Sequence, residues 1–112
     1  MRMFRDVLLS SIAALVVHLS IILVLGGAPT TVFIAELGYR WLLAALILHS
    51  LNWRFHLIIS GAVLGGLFGL HMAFVVMTFG QPVQAGLLAF ITHSLVGAVM
   101  GSISWLITRK LA

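Results

Sequence analysis

The chain has 112 residues, of which 62% are hydrophobic and only 7% are charged, and its mean hydropathy is +1.25. A soluble domain carries about 25% charged residues, so this composition excludes a soluble globular protein and predicts an integral membrane protein. No cysteine is present, which excludes a disulfide framework, a thiolate metal site and a thiol nucleophile. The pI near 11.4 does not indicate a nucleic-acid partner, because the basic residues are scattered and form no basic stripe.

Four apolar segments follow one another along the chain, and each is long enough to cross a hydrocarbon core, which takes roughly 20 helical residues. Backbone polar groups inside a bilayer must be satisfied within their own segment, so we predict helices. Short connections such as GGAPTT and FGQPVQ make sequence neighbours antiparallel neighbours in space. We therefore predict an all-α, polytopic membrane protein with short loops, a single antiparallel four-helix transmembrane bundle over 1–112 with spans at about 7–25, 31–51, 57–79 and 83–107.

The first segment also has features of a secretory signal peptide, since MRMFR precedes the apolar run and GGAPT follows it. The run is about 19 residues long, however, which exceeds the roughly 7 to 15 residues of a signal-peptide core. We predict that it is a retained span.

Thr30 or Thr31 is expected to cap the second helix, and Asn52 is the expected stop of that helix.

Apart from Arg40, the basic residues lie at the two termini and in the middle turn, which an even number of spans places on one side. They are Arg2, Arg5, Arg54, Arg109 and Lys110. The other two loops carry no charge, and this asymmetry predicts cytoplasmic termini in a cell (inner) membrane. Trp53 and Trp105 are expected at the cytoplasmic interface, where amphipathic rings are favoured, and we interpret His49 and His56 as interfacial too.

Glycines recur every four residues on the third and fourth spans. Gly61, Gly65 and Gly69 lie on one helix face, and Gly97 and Gly101 have the same spacing. Small residues let helix backbones approach closely in a membrane. These faces predict tight packing, either between the two spans of one bundle or against another subunit.

Glu36 and Arg40 lie inside the second apolar segment and are the most informative residues of the chain. Counted from the start of that span at 1.5 Å per residue, they lie about 8 and 14 Å deep. An isolated charge in mid-membrane costs about 2.5 to 3.5 kcal/mol, and the i,i+4 spacing lets the two side chains pair on one helix face. The pair is a static polar clamp, a working site or a docking surface for a partner helix.

Histidines occur at a similar depth in the other three segments. His18, His71 and His93 each lie about 10 to 15 Å below the same surface. An antiparallel bundle can therefore bring one ionisable side chain from each helix into a single layer with Glu36 and Arg40. His93 continues the small-residue row of the fourth span, whereas His71 lies opposite the glycines of the third.

We favour a small oligomeric transporter or channel with an intramembrane polar site, because four spans leave little room for a complete pathway in one subunit. Glu36 would accept a proton or cation, and Arg40 would be its partner or an anion contact. The histidines suit proton coupling, since their ordinary pKa lies near 6.5. The partners expected are the lipid bilayer and either further copies of this chain or a partner membrane subunit.

Two other hypotheses remain open. The chain could be a non-catalytic subunit or assembly factor of a larger membrane complex. It could also be a haem-binding subunit in which two histidines are axial ligands; neither a cofactor nor a metal is predicted by a motif. An enzyme is not expected, because no nucleophile–base pair, phosphate loop or metal motif occurs.

The length and number of spans resemble those of small multidrug transporters, which are four-helix dimers. That resemblance implies a transport role and a dimer, and nothing about individual residues. Members of that family carry a membrane glutamate in the first helix, whereas here the first helix carries His18 and the glutamate, Glu36, is in the second. No residue role is therefore carried over.

Overall fold

The computed structural model describes the backbone of residues 2–51 and 56–111 and the side chains of residues 3–51 and 56–108. Outside this description lie Asn52, Trp53 and Arg54 and the side chains of Arg2, Arg109 and Lys110. The described chain forms four α-helices: α1 (Arg2–Val24), α2 (Thr31–Ser50), α3 (Leu57–Thr78) and α4 (Val83–Leu111). By length and composition all four can cross a membrane, which confirms the predicted all-helical architecture with four candidate spans.

The helix ends follow the local chemistry of the sequence. Thr30 Oγ1 accepts the backbone N–H of Phe33 at 3.1 Å and caps α2, as predicted. Gly26 and Gly80 follow α1 and α3 with φ angles of 88° and 89°, a left-handed conformation that glycine adopts without steric cost. α1 begins earlier and α4 ends later than the apolar segments, because a formed helix extends through polar residues one hydrogen bond at a time.

The helices form an antiparallel bundle. The upper end, as it is called below, holds the 25–30 and 79–82 turns, and the lower end holds the beginnings of α1 and α3 and the ends of α2 and α4. α4 packs against α1 on one side and far more extensively against α3 on the other, while α2 packs mainly against α1. The core contains Leu37, Trp41, Leu48, Val96 and Met100, all almost fully buried.

The closest helix contact joins the glycine faces of α3 and α4. Gly61 and Gly65 lie against Gly97 and Gly101, and a Cβ built on any of these four would meet backbone atoms of the opposite helix. Gly69 continues the row toward the upper end, where a Cβ would also meet α4. Of the two interpretations left open by the sequence, packing within the chain is the one present in the structure.

Candidate functional site

Arg40 is carried into the interior by the buried face of α2. The buried residues of this helix recur at spacings of three and four, which places them on one side of a 3.6-residue period. They are Leu37, Arg40, Trp41, Ala44, Ala45 and Leu48. Arg40 is only 8% exposed. The helical period therefore directs a guanidinium group into the bundle from a face of α2 whose other buried residues are apolar or aromatic.

The guanidinium of Arg40 binds His93 of α4. Arg40 Nη1 lies 2.9 Å from His93 Nε2, and because guanidinium nitrogens only donate, Nε2 is the acceptor. On the other side of the ring, His93 Nδ1 lies 2.8 Å from the carbonyl oxygen of Ala89, which can only accept. His93 is therefore the neutral tautomer with its hydrogen on Nδ1. The three groups form a directed chain of hydrogen bonds from α2 to the backbone of α4.

His18 of α1 completes the buried polar layer together with Trp41. The Trp41 indole Nε1–H donates to His18 Nδ1 at 3.0 Å, so a neutral His18 carries its hydrogen on Nε2. The His18 and His93 rings meet edge to face with centroids 4.6 Å apart, and Trp41 stacks on His93 at 5.8 Å. Trp41 is a member of the site that was not predicted from the sequence. The sequence feature that points to Trp41 is its position next to Arg40 on the buried face of α2, because a buried indole N–H needs a hydrogen-bond acceptor.

Two nitrogens of Arg40, Nε and Nη2, are buried without a hydrogen-bond acceptor among the described residues. Nε lies 2.6 Å from Glu36 Oε1, so the two charges are in contact. The N–H is not directed at that oxygen, however, and the contact is an ion pair rather than an aligned hydrogen bond. The Glu36 side chain is 47% exposed, which places it at the rim of the polar layer.

The third predicted histidine does not join this layer. His71 is exposed on α3, while the glycine row of α3 faces α4. Residues two apart on a helix point about 200° apart, so a face that contains Gly69 directs His71 away from α4. Tyr39 is also exposed, at 66%, and is not a hydrogen-bond partner of Arg40.

A pocket of about 240 Å³ runs from the polar layer toward the upper end of the bundle. Its polar end is lined by His18, Arg40, Thr92 and His93. Apolar side chains from all four helices line the rest, among them Ile22, Phe33, Val76 and Leu88. This combination of an apolar wall with a few convergent polar groups is typical of small-molecule sites.

The pocket does not continue through the bundle. Below the polar layer, Ala45, Val96 and Met100 are each fully buried and fill the space between the helices. Protein interiors packed in this way contain few voids larger than a water molecule. Within the described part of a single chain, the polar layer is therefore closed off from the lower end.

A second polar cluster joins three helices near the lower end. Ser10 Oγ of α1 lies 2.8 Å from Ser104 Oγ of α4 and 3.2 Å from His49 Nε2 of α2, and His49 Nε2 lies 3.0 Å from Ser104 Oγ. Each serine hydroxyl also lies within hydrogen-bond distance of the carbonyl four residues before it. These five contacts share at most three hydrogens, one on each serine hydroxyl and one on His49 Nε2. We therefore interpret the cluster as a link between the helices rather than as a site with an activated hydroxyl.

Ser104→Ala is expected to lower the free energy of unfolding by about 1–2 kcal/mol, because it removes a buried group that binds two other helices. Ser102→Ala is the matched control, since Ser102 Oγ binds only Ala98 of its own helix, and it should cost less than about 0.5 kcal/mol. Reversible unfolding in mixed detergents measures both values. Equal losses would contradict an interhelical role for Ser104.

The haem hypothesis requires two histidine rings that can bind iron from opposite faces of a macrocycle, and the positions of His18 and His93 can be compared with that requirement. Axial ligands lie on opposite faces of a macrocycle, whereas the His18 and His93 rings touch each other edge to face at 4.6 Å with an interplanar angle of 86°. No flat group fits between them. Among the described residues, no group of three or more metal-ligating side chains lies close enough together to hold a metal ion.

Comparisons with known proteins add no relative from which roles could be carried over. No protein-family model matches the chain, no curated protein matches it significantly, and no solved structure does so either. The chemistry of the polar layer is therefore read from its own distances, donors and burial.

Proposed function

We propose that this chain is a small multi-pass transport protein of the cell (inner) membrane, working as an oligomer, whose substrate site is the polar layer of Glu36, Arg40, His18 and His93. The four helices cross the bilayer, with both termini cytoplasmic. The upper end of the bundle, and with it the mouth of the pocket, then faces the outside. The distribution of basic residues in the sequence supports this orientation.

A single observation carries the proposal, namely that two buried nitrogens of Arg40, Nε and Nη2, have no hydrogen-bond acceptor among the described residues and that Arg40 lines a pocket. A static clamp stabilises a bundle best when every donor has an acceptor, and each buried donor left without one costs about 1–3 kcal/mol. Ionisable residues within a membrane are rare and by default mark a substrate or ion path. A buried arginine that lines an apolar pocket and has no acceptor at Nη2 fits a ligand site better than a static clamp.

Two features of a single chain support oligomerisation, namely the lack of a continuous path through the bundle and an exposed carboxylate on α2. The core below Arg40 is filled, so one bundle offers no continuous path from the upper to the lower end. The side chains of Glu36 and Tyr39 on α2 are exposed, Glu36 at 47% and Tyr39 at 66%. A carboxylate facing hydrocarbon is costly, which favours a second copy of the chain against this face of α2.

Reconstituted transport tests the proposed function. The purified protein is placed in liposomes that contain a pH-sensitive dye, and a panel of organic anions, organic cations and neutral solutes is added outside. We expect one class of solute to move with protons in the wild type and at least tenfold more slowly in Arg40→Gln and Glu36→Gln. Ser102→Ala, which lies outside the polar layer, should transport as the wild type does.

Normal transport by Glu36→Gln and Arg40→Gln would contradict the assignment of the site. A wild type that moves no solute, while a partner membrane protein loses activity when this chain is removed, would favour the second candidate function. That candidate is a non-catalytic subunit or assembly factor. The exposed Glu36 and Tyr39 favour it specifically, because the same face of α2 can dock on a partner helix.

A further inference from the structure

We infer that the pocket above Arg40 binds an amphipathic carboxylate, a monoanion with a short apolar tail, and that Glu36 takes up one proton as the anion binds. This inference rests on the proposed function, since it names the substrate class of the same site. It follows from the shape of the guanidinium edge formed by Nε and Nη2, from the charge of the layer and from the size of the pocket.

The two unsatisfied nitrogens of Arg40 lie on one edge of the guanidinium plane. Nη1 is occupied by His93, whereas Nε and Nη2 have no hydrogen-bond acceptor among the described residues. The N–H groups of Nε and Nη2 point in nearly parallel directions, which matches the two oxygens of a carboxylate. A lone water or carbonyl oxygen satisfies only part of this edge, so its geometry favours a forked oxyanion.

Glu36 competes for that same edge. Its Oε1 lies 2.6 Å from Arg40 Nε, and a second carboxylate on the edge would bring two like charges into contact. Protonation of Glu36 removes the repulsion and frees Nε.

Charge balance selects a monoanion. The empty layer holds one arginine cation and one glutamate anion, and the occupied layer holds the same cation, a neutral Glu36 and the ligand anion. Both states are neutral, which a low-dielectric site favours. A dianion such as a phosphate monoester would leave a net negative charge in the layer.

The pocket accommodates a short tail. A volume of about 240 Å³ corresponds to roughly eight groups of water size at about 30 Å³ each. Hexanoate has about that many non-hydrogen atoms, and its carbon chain would lie along Ile22, Phe33, Val76 and Leu88. Longer tails would extend past the upper end. The carboxylate can therefore come from a water-soluble short-chain acid or from a fatty acid of the bilayer.

Other titratable groups lie near the ligand, and their contributions to the pH dependence of binding must be distinguished from that of Glu36. His93 and His18 face the guanidinium from α4 and α1, Tyr39 lies one turn from Glu36 on α2, and His71 of α3 is exposed. Protonating His93 would remove its acceptor lone pair and the hydrogen bond from Arg40 Nη1. A pH dependence that survives in Glu36→Gln would originate from one of these groups.

Calorimetric titration of the full chain in detergent with hexanoate tests the inference between pH 6 and 8, where the ligand stays ionised. We expect binding to tighten by up to about tenfold per pH unit as the pH falls, since one proton is bound with the anion. The titration is repeated in two buffers of different ionisation enthalpy. The difference in the heat of binding between the buffers gives the number of protons taken up, without the use of a variant. In Glu36→Gln, hexanoate should bind at every pH with no slope, and Arg40→Gln should bind at least about thirtyfold more weakly.

Matched ligands and a control variant complete the test. Butyrate should bind about fourfold more weakly for each missing methylene, and hexanol, which lacks the carboxylate, should show no pH slope. Arg5→Gln removes a cation whose partner is Asp6, outside the pocket, and should leave binding unchanged. Oleate binding with the same dependence on Arg40 and pH, without hexanoate binding, supports the carboxylate chemistry and assigns its source to the bilayer.

The inference is overturned if neither acid binds, or if Arg40→Gln binds hexanoate as tightly as the wild type. Transport of another solute class that depends on Arg40 would then leave the proposed function standing. Conversely, hexanoate binding with the expected pH slope but without transport by liposomes would retain the carboxylate site and remove the transport role.

Discussion

Gly97→Ala is expected to lower the free energy of unfolding by about 1–3 kcal/mol or more, one of the two largest effects expected in this chain. A Cβ at this position would meet the carbonyl oxygen of Gly61 and the Cα of Gly65, the latter at 2.9 Å. Both are backbone atoms of α3, so neither can rotate away. The two helices would have to separate, which removes the close approach that glycine permits.

Gly38→Ala is the matched control for that substitution. Gly38 also lies within a helix, but a Cβ there would meet only Leu15 Cδ2 at an ordinary 3.4 Å. Alanine is the better helix former by up to about 1 kcal/mol, so Gly38→Ala should be neutral or stabilising. Unfolding in mixed detergents compares the two variants. A change of oligomer size in Gly97→Ala, with the stability of the single chain intact, would instead assign the row to an interface between copies.

Glu36→Gln is expected to destabilise the fold, and replacing Arg40 by methionine in the same chain is expected to restore it. The single variant leaves a buried guanidinium without its carboxylate, which should cost about 1–3 kcal/mol, at the low end for a broken buried pair because Glu36 is half exposed. The double variant removes both charges from the layer. Apolar replacements of buried ion pairs are often neutral or stabilising, so its stability should come within about 1 kcal/mol of the wild type.

The same double variant should no longer bind hexanoate, because the guanidinium edge is gone. Because apolar replacement of an ion pair is often neutral for stability, the loss of hexanoate binding, and not the retained stability, would identify a working site. Ser102→Ala serves as the control, since Ser102 Oγ donates to Ala98 of its own helix, and it should change stability by less than about 0.5 kcal/mol. A double variant less stable than Glu36→Gln would show that Arg40 stabilises the bundle through His93 independently of Glu36.

The four helices and most of their ends could be predicted from the sequence because they depend on local chemistry. Apolar runs of about 20 residues specify helices wherever backbone groups must be satisfied internally. Thr30 caps α2 and glycines end α1 and α3 through contacts within a few residues. The pairing of Glu36 with Arg40 could also be predicted from the sequence, since it needs only an i,i+4 spacing on one helix.

The membership of the polar layer depended on helix rotation, which the sequence left open. His18 and His93 lie at one depth with Arg40 and meet there, and His71 lies at a comparable depth but is exposed. The difference arises because the glycines of α3 pack against α4 and thereby set the direction of every other side chain on α3. Sequence spacing gives the angle between two residues, and only a partner helix decides which of them points inward.

By itself, the sequence determined the number of helices, their lengths, the glycine faces and the Glu36–Arg40 pair, all of which follow from spacing along one chain segment. The tertiary structure decided which histidines join Arg40, that Trp41 belongs to the layer, and that Ser10, His49 and Ser104 form a second cluster. It also decided that Arg40 lines a pocket and that its Nε and Nη2 have no hydrogen-bond acceptor among the described residues. These features require three or four helices to be docked at defined rotations, which the spacing along a single helix does not specify; the glycine rows set the rotation of α3 against α4.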